Sequence, residues 1–518
     1  MVLRSVRALV AASAAAGMLV LAAAAGAGTY SVASLQNVSG ASPFGPWGSC
    51  NGGPLDSVLY INSEVEPFVA VNPANPANAI GVYQQDRWRN GGARGLVASY
   101  TMSGVAGAWA RSWAPFSFCS GGTTANGGDF ERVSDPWVSF SPNGAAYQIS
   151  LSFNESNFEN AILVTKSVDG GATWGTPVTV ARTTGERETS FAFQDKQAIT
   201  ADPTNPNYVY AVWDTLVGPS LKSNASITGA FNATAYRGPT WFARSTDGGV
   251  TWEAARPIFD AGQNNQTIGN QIVVLPNGWL VNVFDLISNF KNAHGQRGLN
   301  VAVIISKDKG VTWSRPIIVD KLMTVGVVDP DTGHDVRTED IIPEIAVDPS
   351  TGPLGTLYVV WQDSRFSGGA HDDIAFSRST DGGLHWSAAI KVNQTPVPVA
   401  AFTPSVDVAA DGTVGVTYYD FRFNTPAPGL NTDYFLVHSH NGGTTWDPET
   451  KITPASFDME SAPDARGYFV GDYEGLAHVG SSFLAFFVQS VVWGVPHPAP
   501  PAVDTVNRTD AFAALLSP

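Results

Sequence analysis

The main sequence evidence for the fold is the stretch Ser379-Thr380-Asp381-Gly382-Gly383-Leu384-His385-Trp386, because its eight-residue pattern recurs along most of the chain. The pattern returns at residues 167–174, 245–252, 306–313 and 439–446. In a tight turn between antiparallel strands, the Asp or Asn side chain can accept backbone hydrogen bonds, and the glycines can take positive φ angles. The Trp can then begin the next strand and bury its ring. A repeat this regular predicts a chain of many strand-turn-strand units.

Seven pairs of predicted strands fill the chain, at residues 67–83, 136–152, 197–213, 271–284, 343–361, 404–419 and 469–488. Six of the pairs are followed by a third strand and a turn of this kind, the first of these turns being degenerate, and the seventh is followed by residues 510–513. An alternating stretch at Tyr30 to Val38 has no partner nearby in sequence. Together they predict an all-β, seven-bladed β-propeller closed by the N-terminal strand. The alternative is six blades with the seventh unit as an appendage.

The five turns resemble the Asp-box, or BNR repeat, of the sialidase-like β-propeller superfamily, in a secreted bacterial form. The resemblance covers about residues 60 to 515. It implies a glycan-acting glycoside hydrolase, exo-sialidase-like by family, that requires no cofactor. The alternative is a non-catalytic extracellular propeller that binds a glycan or a protein, since one fold hosts many functions.

The N-terminus predicts export. Arg4 and Arg7 precede an apolar run from Ala8 to about Ala25, which indicates a signal peptide over residues 1–28 and a single domain over 29–518. A membrane anchor is the competing interpretation. After cleavage we expect a secreted monomer with no membrane insertion, and the net charge of −16 makes nucleic acid an unsuitable partner. The two cysteines, Cys50 and Cys119, could form a disulfide or stay as buried thiols.

Carboxylates stand just before several of the first strands. In a closed ring these positions meet at the mouth of the central channel, where two carboxylates could work as an acid and base pair. They could equally cap turns and order channel water. The candidate catalytic carboxylates are Glu66, Asp135, Asp195 and Asp472.

Residues 471–476 resemble the Tyr-Ser-x-Leu segment that supplies the sialidase nucleophile, which would give that role to Tyr473 with Glu66 or Asp135 as its base. Alternatively, Tyr473 lines the channel and its hydroxyl bonds a neighbouring blade. Two departures from the family stand beside this. Val65-Glu66-Pro67 occupies the place of the sialidase Arg-Ile-Pro motif, and residues 90–95 contain no general-acid Asp.

Three arginines follow an Asp at equivalent positions after second strands, and they could bind a substrate carboxylate: Arg87, Arg365 and Arg422. The alternative is that each forms a structural Asp-Arg ion pair. Trp88 lies in the same zone and could stack on a sugar ring, although most Trp in such a fold is packing.

Asp329, Asp331 and Asp335 surround a glycine in a loop that could hold a structural calcium ion. A solvated acidic turn is the alternative. His438 and His440 lie two apart on a predicted strand and are interpreted as ordinary strand residues.

Overall fold

The computed structural model describes residues 28–518 except 46–49, 51–56, 158, 185–190, 219–236, 289–297, 492–501 and 505–507. The described chain is all-β, as predicted, and its helical content consists of four 3₁₀ turns: Phe118–Ser120, Pro349–Thr351, Arg365–Ser367 and Met459–Ser461. Among the described residues, no helix is long and apolar enough to cross a membrane. The predicted signal peptide, residues 1–28, falls almost wholly outside the described residues.

Seven antiparallel four-stranded units account for most of the strands, and we number them in chain order. Units 1 and 2 belong to one nine-stranded sheet, joined where Ala93 pairs with Val133. Unit 1 contains Val58–Val71, Ala79–Trp88, Ala93–Thr101 and Ala110–Trp113. Unit 2 contains Arg132–Phe140, Ala146–Phe153, Asn160–Ser167 and Val178–Thr183. Unit 3 contains Phe191–Ala201, Val209–Gly218, Thr240–Ser245 and Arg256–Phe259. Unit 4 contains Gln266–Val274, Leu280–Ile287, Asn300–Ser306 and Ile317–Lys321.

Unit 5 contains Glu344–Asp348, Thr356–Asp363, Asp373–Ser379 and Ile390–Lys391. Unit 6 contains Ala401–Val408, Val414–Asp420, Asn431–Ser439 and Thr450–Lys451. Unit 7 contains Gly475–Val479, Ser482–Ser490, Thr509–Ser517 and the N-terminal strand Ser31–Asn37. The last of these pairs antiparallel with Thr509–Ser517, so that Asn37 lies opposite Phe512 and Ser31 opposite Ser517.

The first strands of successive units contact one another, and the first strand of unit 7 contacts that of unit 1. The contacts therefore close a cycle. Apolar faces of neighbouring units pack together along it, as when Ile149 of unit 2, Val212 of unit 3 and Ile272 of unit 4 join one buried cluster. Each fully buried side chain of this kind contributes about 1.5–3 kcal/mol.

The repeated turns join the third and fourth strands of units 2 to 6 and share one hydrogen-bond pattern. In unit 2, the Ser167 hydroxyl donates to Asp169 at 2.8 Å, and Asp169 also accepts from the backbone N–H of Thr173 at 2.9 Å. The two central glycines take φ angles of 73° and 96°. Local bonds thus satisfy the Asp, which explains why the eight-residue pattern is so regular.

Five further short strands sit outside the seven units: Val327–Val328, Asp335–Arg337, Tyr468–Phe469, Phe457–Asp458 and Ala502–Asp504. The last of them pairs with the start of unit 1. The first three of these form a small sheet in which Arg337 pairs with Phe469 in parallel. This sheet joins the segment between units 4 and 5 to the segment before unit 7.

Cys50 and Cys119 form a disulfide, with their Cα atoms 4.9 Å apart. The disulfide alternative of the sequence analysis is therefore confirmed. The bridge closes a span of 69 residues and ties the loop after the N-terminal strand to the end of unit 1.

Candidate active site

The first strands of five units carry a β-bulge near their start, where the register shifts against the second strand. One residue of each bulge has a left-handed backbone: Glu66 (φ 54°), Asp135 (φ 52°), Lys196 (φ 47°), Gly269 (φ 73°) and Thr403 (φ 48°). A bulge bends its strand and re-aims the side chain. A residue other than glycine costs roughly 1–2 kcal/mol in this region. The bulges of units 1, 2 and 3 accept that cost and place ionisable groups side by side.

Lys196 is the centre of the resulting cluster. Its Nζ atom lies 3.0 Å from Asp135 Oδ1, 2.5 Å from Asp472 Oδ2 and 3.8 Å from Glu66 Oε1. No side chain among these four is more than 7% exposed. Burial disfavours the ammonium charge, but the adjacent carboxylates outweigh burial and raise the pKa of Lys196 well above its usual value.

Oxygen atoms of Glu66, Asp135 and Asp472 all lie within 4.8 Å of one another, a spacing that could suit a metal ion. The ammonium group of Lys196 already contacts all three carboxylates. The cluster is therefore built around a protein cation.

Arg337 binds the same carboxylate from the other side. Its Nε and Nη2 atoms donate to the two oxygens of Asp472 at 2.9 and 2.5 Å, and its guanidinium lies 4.3 Å from the ring centre of Phe469. Burial alone would raise the pKa of Asp472, yet Arg337 and Lys196 lower it below its ordinary value. Asp472 is thus held ionised.

Other carboxyl groups of the cluster shift in the opposite direction. Burial raises the pKa of Asp195 to about 7, with Lys196 lowering it and Asp135 raising it. Burial and the neighbouring Asp135 raise the pKa of Glu66 well above its usual range, and burial followed by Asp472 raises that of Glu339. Neighbouring carboxyls in opposite protonation states are the arrangement that acid and base catalysis requires.

A cavity of about 30 Å³ lies against this cluster, and Glu66, Asp135, Asp195 and Lys196 are among its walls. Arg337, Glu339 and Arg466 line both this cavity and a groove of about 1320 Å³. The groove runs along residues 321–327 and 335–341, in the segment between units 4 and 5. A polymer lying in the groove would contact the three residues that the groove shares with the cavity.

The structure brings together the four carboxylates that the sequence analysis selected, and Arg87 joins them as a wall of the cavity. Tyr473 lies beside them but is buried, and its hydroxyl donates to the carbonyl of Pro136 in unit 2 at 3.2 Å. Burial, then Glu66 and Asp135, raise its pKa well above the usual value. This hydroxyl is therefore occupied by a bond to unit 2, which lies two places from unit 7 in the cycle, whereas the alternative interpretation expected a neighbouring blade.

The other two rim arginines lie in ion pairs. Arg365 donates to Asp363 at 2.9 Å and to Asp320 of unit 4 at 2.8 Å. Arg422 donates to Asp420 at 2.7 Å and to Glu449 at 2.5 Å. Both match the structural alternative given for them.

Arg87 departs from this pattern, because the Asp86 before it pairs with Arg94 at 3.0 Å. Arg87 instead donates to Gln84 at 2.7 Å and lies 4.9 Å from the ring centre of Phe469. Trp88 is fully buried beneath the guanidinium of Arg132, 4.3 Å from its ring centre, and so has no face toward the groove.

The acidic loop places its carboxylates in local contacts. Asp329 accepts from the backbone N–H of Asp331 at 2.9 Å and from the Thr332 hydroxyl, and Asp331 accepts from Asn424 at 2.9 Å. Asp335 begins a strand of the small sheet. Calcium binding by Asp329, Asp331 and Asp335 stays a prediction.

Sequence reasoning missed Lys196, Arg337, Glu339 and Arg466 as site residues. A signal for Lys196 was present, because it aligns with Glu66 and Asp135 just before a first strand. Glu339 gave the same signal, because it stands a few residues before the predicted first strand of unit 5, whereas Arg337 and Arg466 lie at no repeated position.

No protein-family model matches this chain. A xyloglucanase from a Paenibacillus species is 27% identical over 288 residues, which are 54% of this chain and 22% of the relative. Xyloglucanase Xgh74A from Acetivibrio thermocellus is 26% identical over 288 residues, covering 54% of this chain and 29% of the relative. The match thus spans less than a third of the length of these relatives.

Solved structures similar to this chain include the α-L-arabinofuranosidase Arb93A of Fusarium graminearum (TM-score 0.43, 13% identity, 70% of this chain and 92% of that chain). The Hadza microbial sialidase Hz136 has a TM-score of 0.44 and 13% identity, and the match covers 94% of this chain and 96% of that one. These TM-scores and identities are too low to indicate a shared chemistry. The description of the fold therefore rests on the strand pairing of this chain.

Proposed function

We propose that the chain is a seven-bladed β-propeller, formed by residues 29–518 as a single domain, in which each four-stranded unit is one blade. The closed cycle of contacts between first strands supports this blade count, and the pairing of Ser31–Asn37 with the end of the chain supports closure by the N-terminal strand.

We propose that this propeller is an exported, monomeric glycoside hydrolase. The disulfide suits an oxidising compartment. One observation carries the hydrolase proposal. Asp195 lines the small cavity that shares walls with a groove of about 1320 Å³, its pKa is raised to about 7, and Asp135 in the same cavity lies 3.0 Å from Lys196.

In this mechanism, Asp195 is the general acid that protonates the leaving glycosidic oxygen as its bond to the sugar breaks. Asp135, which contacts Lys196 at 3.0 Å, is the partner carboxylate, which either bonds to the sugar or takes a proton from the attacking water. Lys196 and Arg337 hold the charges of the site in place. Tyr473 has no role as nucleophile here, because its buried hydroxyl already donates to Pro136.

The substrate we propose is a neutral polysaccharide, with xyloglucan as the first choice because two curated relatives are xyloglucanases. The engagement of three arginines in ion pairs supports a neutral substrate. Arg365, Arg422 and Arg337 each already bind carboxylates of the protein, which leaves them poorly placed to take the carboxylate of a sialoside. Sialidase-like activity remains a prediction from the family resemblance.

The test is release of reducing sugar by the purified protein from xyloglucan, arabinan and a sialoside. We expect release from xyloglucan, and we expect Asp195→Asn to lower kcat/KM by at least about 10²-fold. Asp247→Asn, in the turn of unit 3, is the matched control and should leave kcat/KM unchanged. Equal activity of Asp195→Asn and the wild type would refute the assignment of the acid. Release from the sialoside alone would replace the substrate.

A second candidate is a non-catalytic glycan-binding propeller. It is favoured by the internal pairing of Lys196 and Arg337 with Asp135 and Asp472, which leaves few of the site's charges for chemistry. Retention of xyloglucan in affinity electrophoresis without any release of sugar would select this candidate.

A further inference from the structure

A second cluster lies at the end of the third strand of unit 6, beside its repeated turn. The Nε2 atoms of His438 and His440 lie 3.6 and 3.9 Å from Oδ2 of Asp447. One ligand atom from each of the three residues falls within 4.8 Å of the others. His438 and His440 share a face of the strand end, and Asp447 returns to them because it directly follows the Trp of the turn.

The ring of His438 has unused hydrogen-bonding capacity. Its side chain is 0% exposed, and neither ring nitrogen makes a hydrogen bond of normal geometry among the described residues, although the backbone of Gly28 is close enough to interact with the ring. A buried imidazole in this state normally has a partner. The structure therefore contains a buried ligand atom that faces a carboxylate and a second imidazole.

The second histidine is oriented for the same purpose. Nδ1 of His440 lies 2.9 Å from the hydroxyl of Thr413. A hydrogen bond donated by Nδ1 to this hydroxyl places the lone pair of the neutral ring on Nε2, the atom that faces Asp447. His440 and Asp447 are 32% and 33% exposed, so an ion and water can reach the site from solvent.

We propose that His438, His440 and Asp447 form a binding site for a divalent transition metal, with Zn²⁺ as the ion. Two imidazole nitrogens and one carboxylate oxygen are a donor set that suits zinc. Two ligands of a tetrahedral zinc ion, each about 2.1 Å from it, lie about 3.4 Å apart. The observed separations of 3.6 and 3.9 Å from Asp447 need to shorten by up to about half an ångström. The ligand atoms of the two histidines lie within 4.8 Å of each other and must approach as well.

Such an ion would stabilise the point at which the cycle of units closes. The ring of His438 packs against Tyr30 with centres 4.6 Å apart, and the carbonyl of Tyr30 accepts from Thr450 of unit 6 at 2.7 Å. Tyr30 directly precedes the N-terminal strand of unit 7. The metal site therefore sits where unit 6 meets the strand that completes the cycle.

The experiment is titration of the EDTA-treated, dialysed protein with Zn²⁺ by isothermal calorimetry, with melting temperature followed in parallel. We expect one ion per chain and a higher melting temperature when zinc is bound. The partly exposed ligands give the decisive variants, Asp447→Asn and His440→Gln, because they can be changed without opening the core. Each should weaken zinc binding by at least about 10²-fold, and Thr413→Val, which removes only the orienting hydroxyl, by about tenfold or more.

His385→Gln is the matched control. His385 occupies the turn of unit 5 and contacts Asp381 at 2.6 Å, but the described residues place no second histidine in that contact. It should leave zinc affinity unchanged. Absence of a one-to-one zinc isotherm for the folded wild type would overturn the proposal. An isotherm that Asp447→Asn and His440→Gln do not alter would overturn it equally, as would a Co²⁺ complex without the visible absorption of a tetrahedral site.

Discussion

The two ends of the repeated units use the left-handed region of the backbone in different ways. At the turn end, glycines such as Gly170 and Gly171 occupy it, and the hydrogen bonds of Asp169 are made within the same eight residues. At the bulge end, Glu66, Asp135 and Lys196 occupy it, and their partners come from other units.

We therefore assign the turn end to folding and the bulge end to chemistry. Glycine takes the left-handed region without steric cost, so the turns can recur in several units without backbone strain. Strained residues other than glycine persist when the surroundings force them, and such strain clusters at functional sites. The bulge end is therefore where we place the active site.

Two lysines with left-handed backbones allow the largest test of this contrast. Lys196 (φ 47°) binds three buried carboxylates at the bulge end, and Lys309 (φ 59°) binds Asp202 at 2.7 Å at the turn end. Lys196→Met should lower the free energy of unfolding by about 3–5 kcal/mol, because it leaves buried carboxylates without their cation. Lys309→Met should cost about 1 kcal/mol, because its ammonium is partly exposed.

Urea denaturation of both variants measures the two values. Equal losses in the two variants would contradict the claim that the ends differ in kind. A loss near 1 kcal/mol for Lys196→Met would mean that water, rather than the lysine, compensates the carboxylates.

The turn end can be probed through its glycines. A Cβ atom on Gly171, at φ 96°, would lie 2.7 Å from Cδ1 of the buried Ile80. Gly171→Ala should therefore lower the free energy of unfolding by about 2–4 kcal/mol, since backbone strain and overpacking add. Gly104 has a similar φ of 90° with open space around it, and Gly104→Ala should cost only about 1–2 kcal/mol. If both variants lose the same stability in urea, packing against Ile80 contributes nothing.

The same contrast explains what the sequence could predict. The turns and the all-β class follow from local patterns, and the structure confirms the class. The sequence left the state of the two cysteines open, and the structure shows that they form a disulfide. The carboxylates Glu66 and Asp135 could be found because they stand at one position of a repeat.

The partners of these groups could not be found in the same way. Arg337 reaches Asp472 across 135 residues of sequence, through a small sheet that no repeat encodes. The pairs of Arg365 with Asp363 and of Arg422 with Asp420 were an alternative already open in the sequence. Their second partners, Asp320 and Glu449, lie 45 and 27 residues away and were visible only in three dimensions. The sequence shows which chemical group a side chain carries, but tertiary contacts determine whether that group is free to bind a substrate.

The two ends should differ in how the stability of the fold depends on pH. Asp195 provides the test at the bulge end. The pKa of Asp195 is raised to about 7, above its value of about 3.9 in the unfolded chain. Its contribution to stability is therefore complete below about pH 4 and is lost as the pH rises through 7. Asp195→Asn removes this titration, so the variant should gain stability relative to the wild type between pH 4 and 8. A constant difference in urea midpoints over that range would contradict the shift.

At the turn end the sign is reversed and the effect is the smallest of the set. Hydrogen bonds from Thr251 and Ser245 lower the pKa of the exposed Asp247 to about 2. A lowered pKa stabilises the fold above the unfolded value of about 3.9, and that stabilisation is lost as the pH falls through 2. Asp247→Asn should therefore be less stable than the wild type at pH 6, and thermal melts should show the gap closing toward pH 2. A gap that widens in acid would mean that this turn, like the bulges, holds its carboxyl protonated, and the distinction between the two ends would fail.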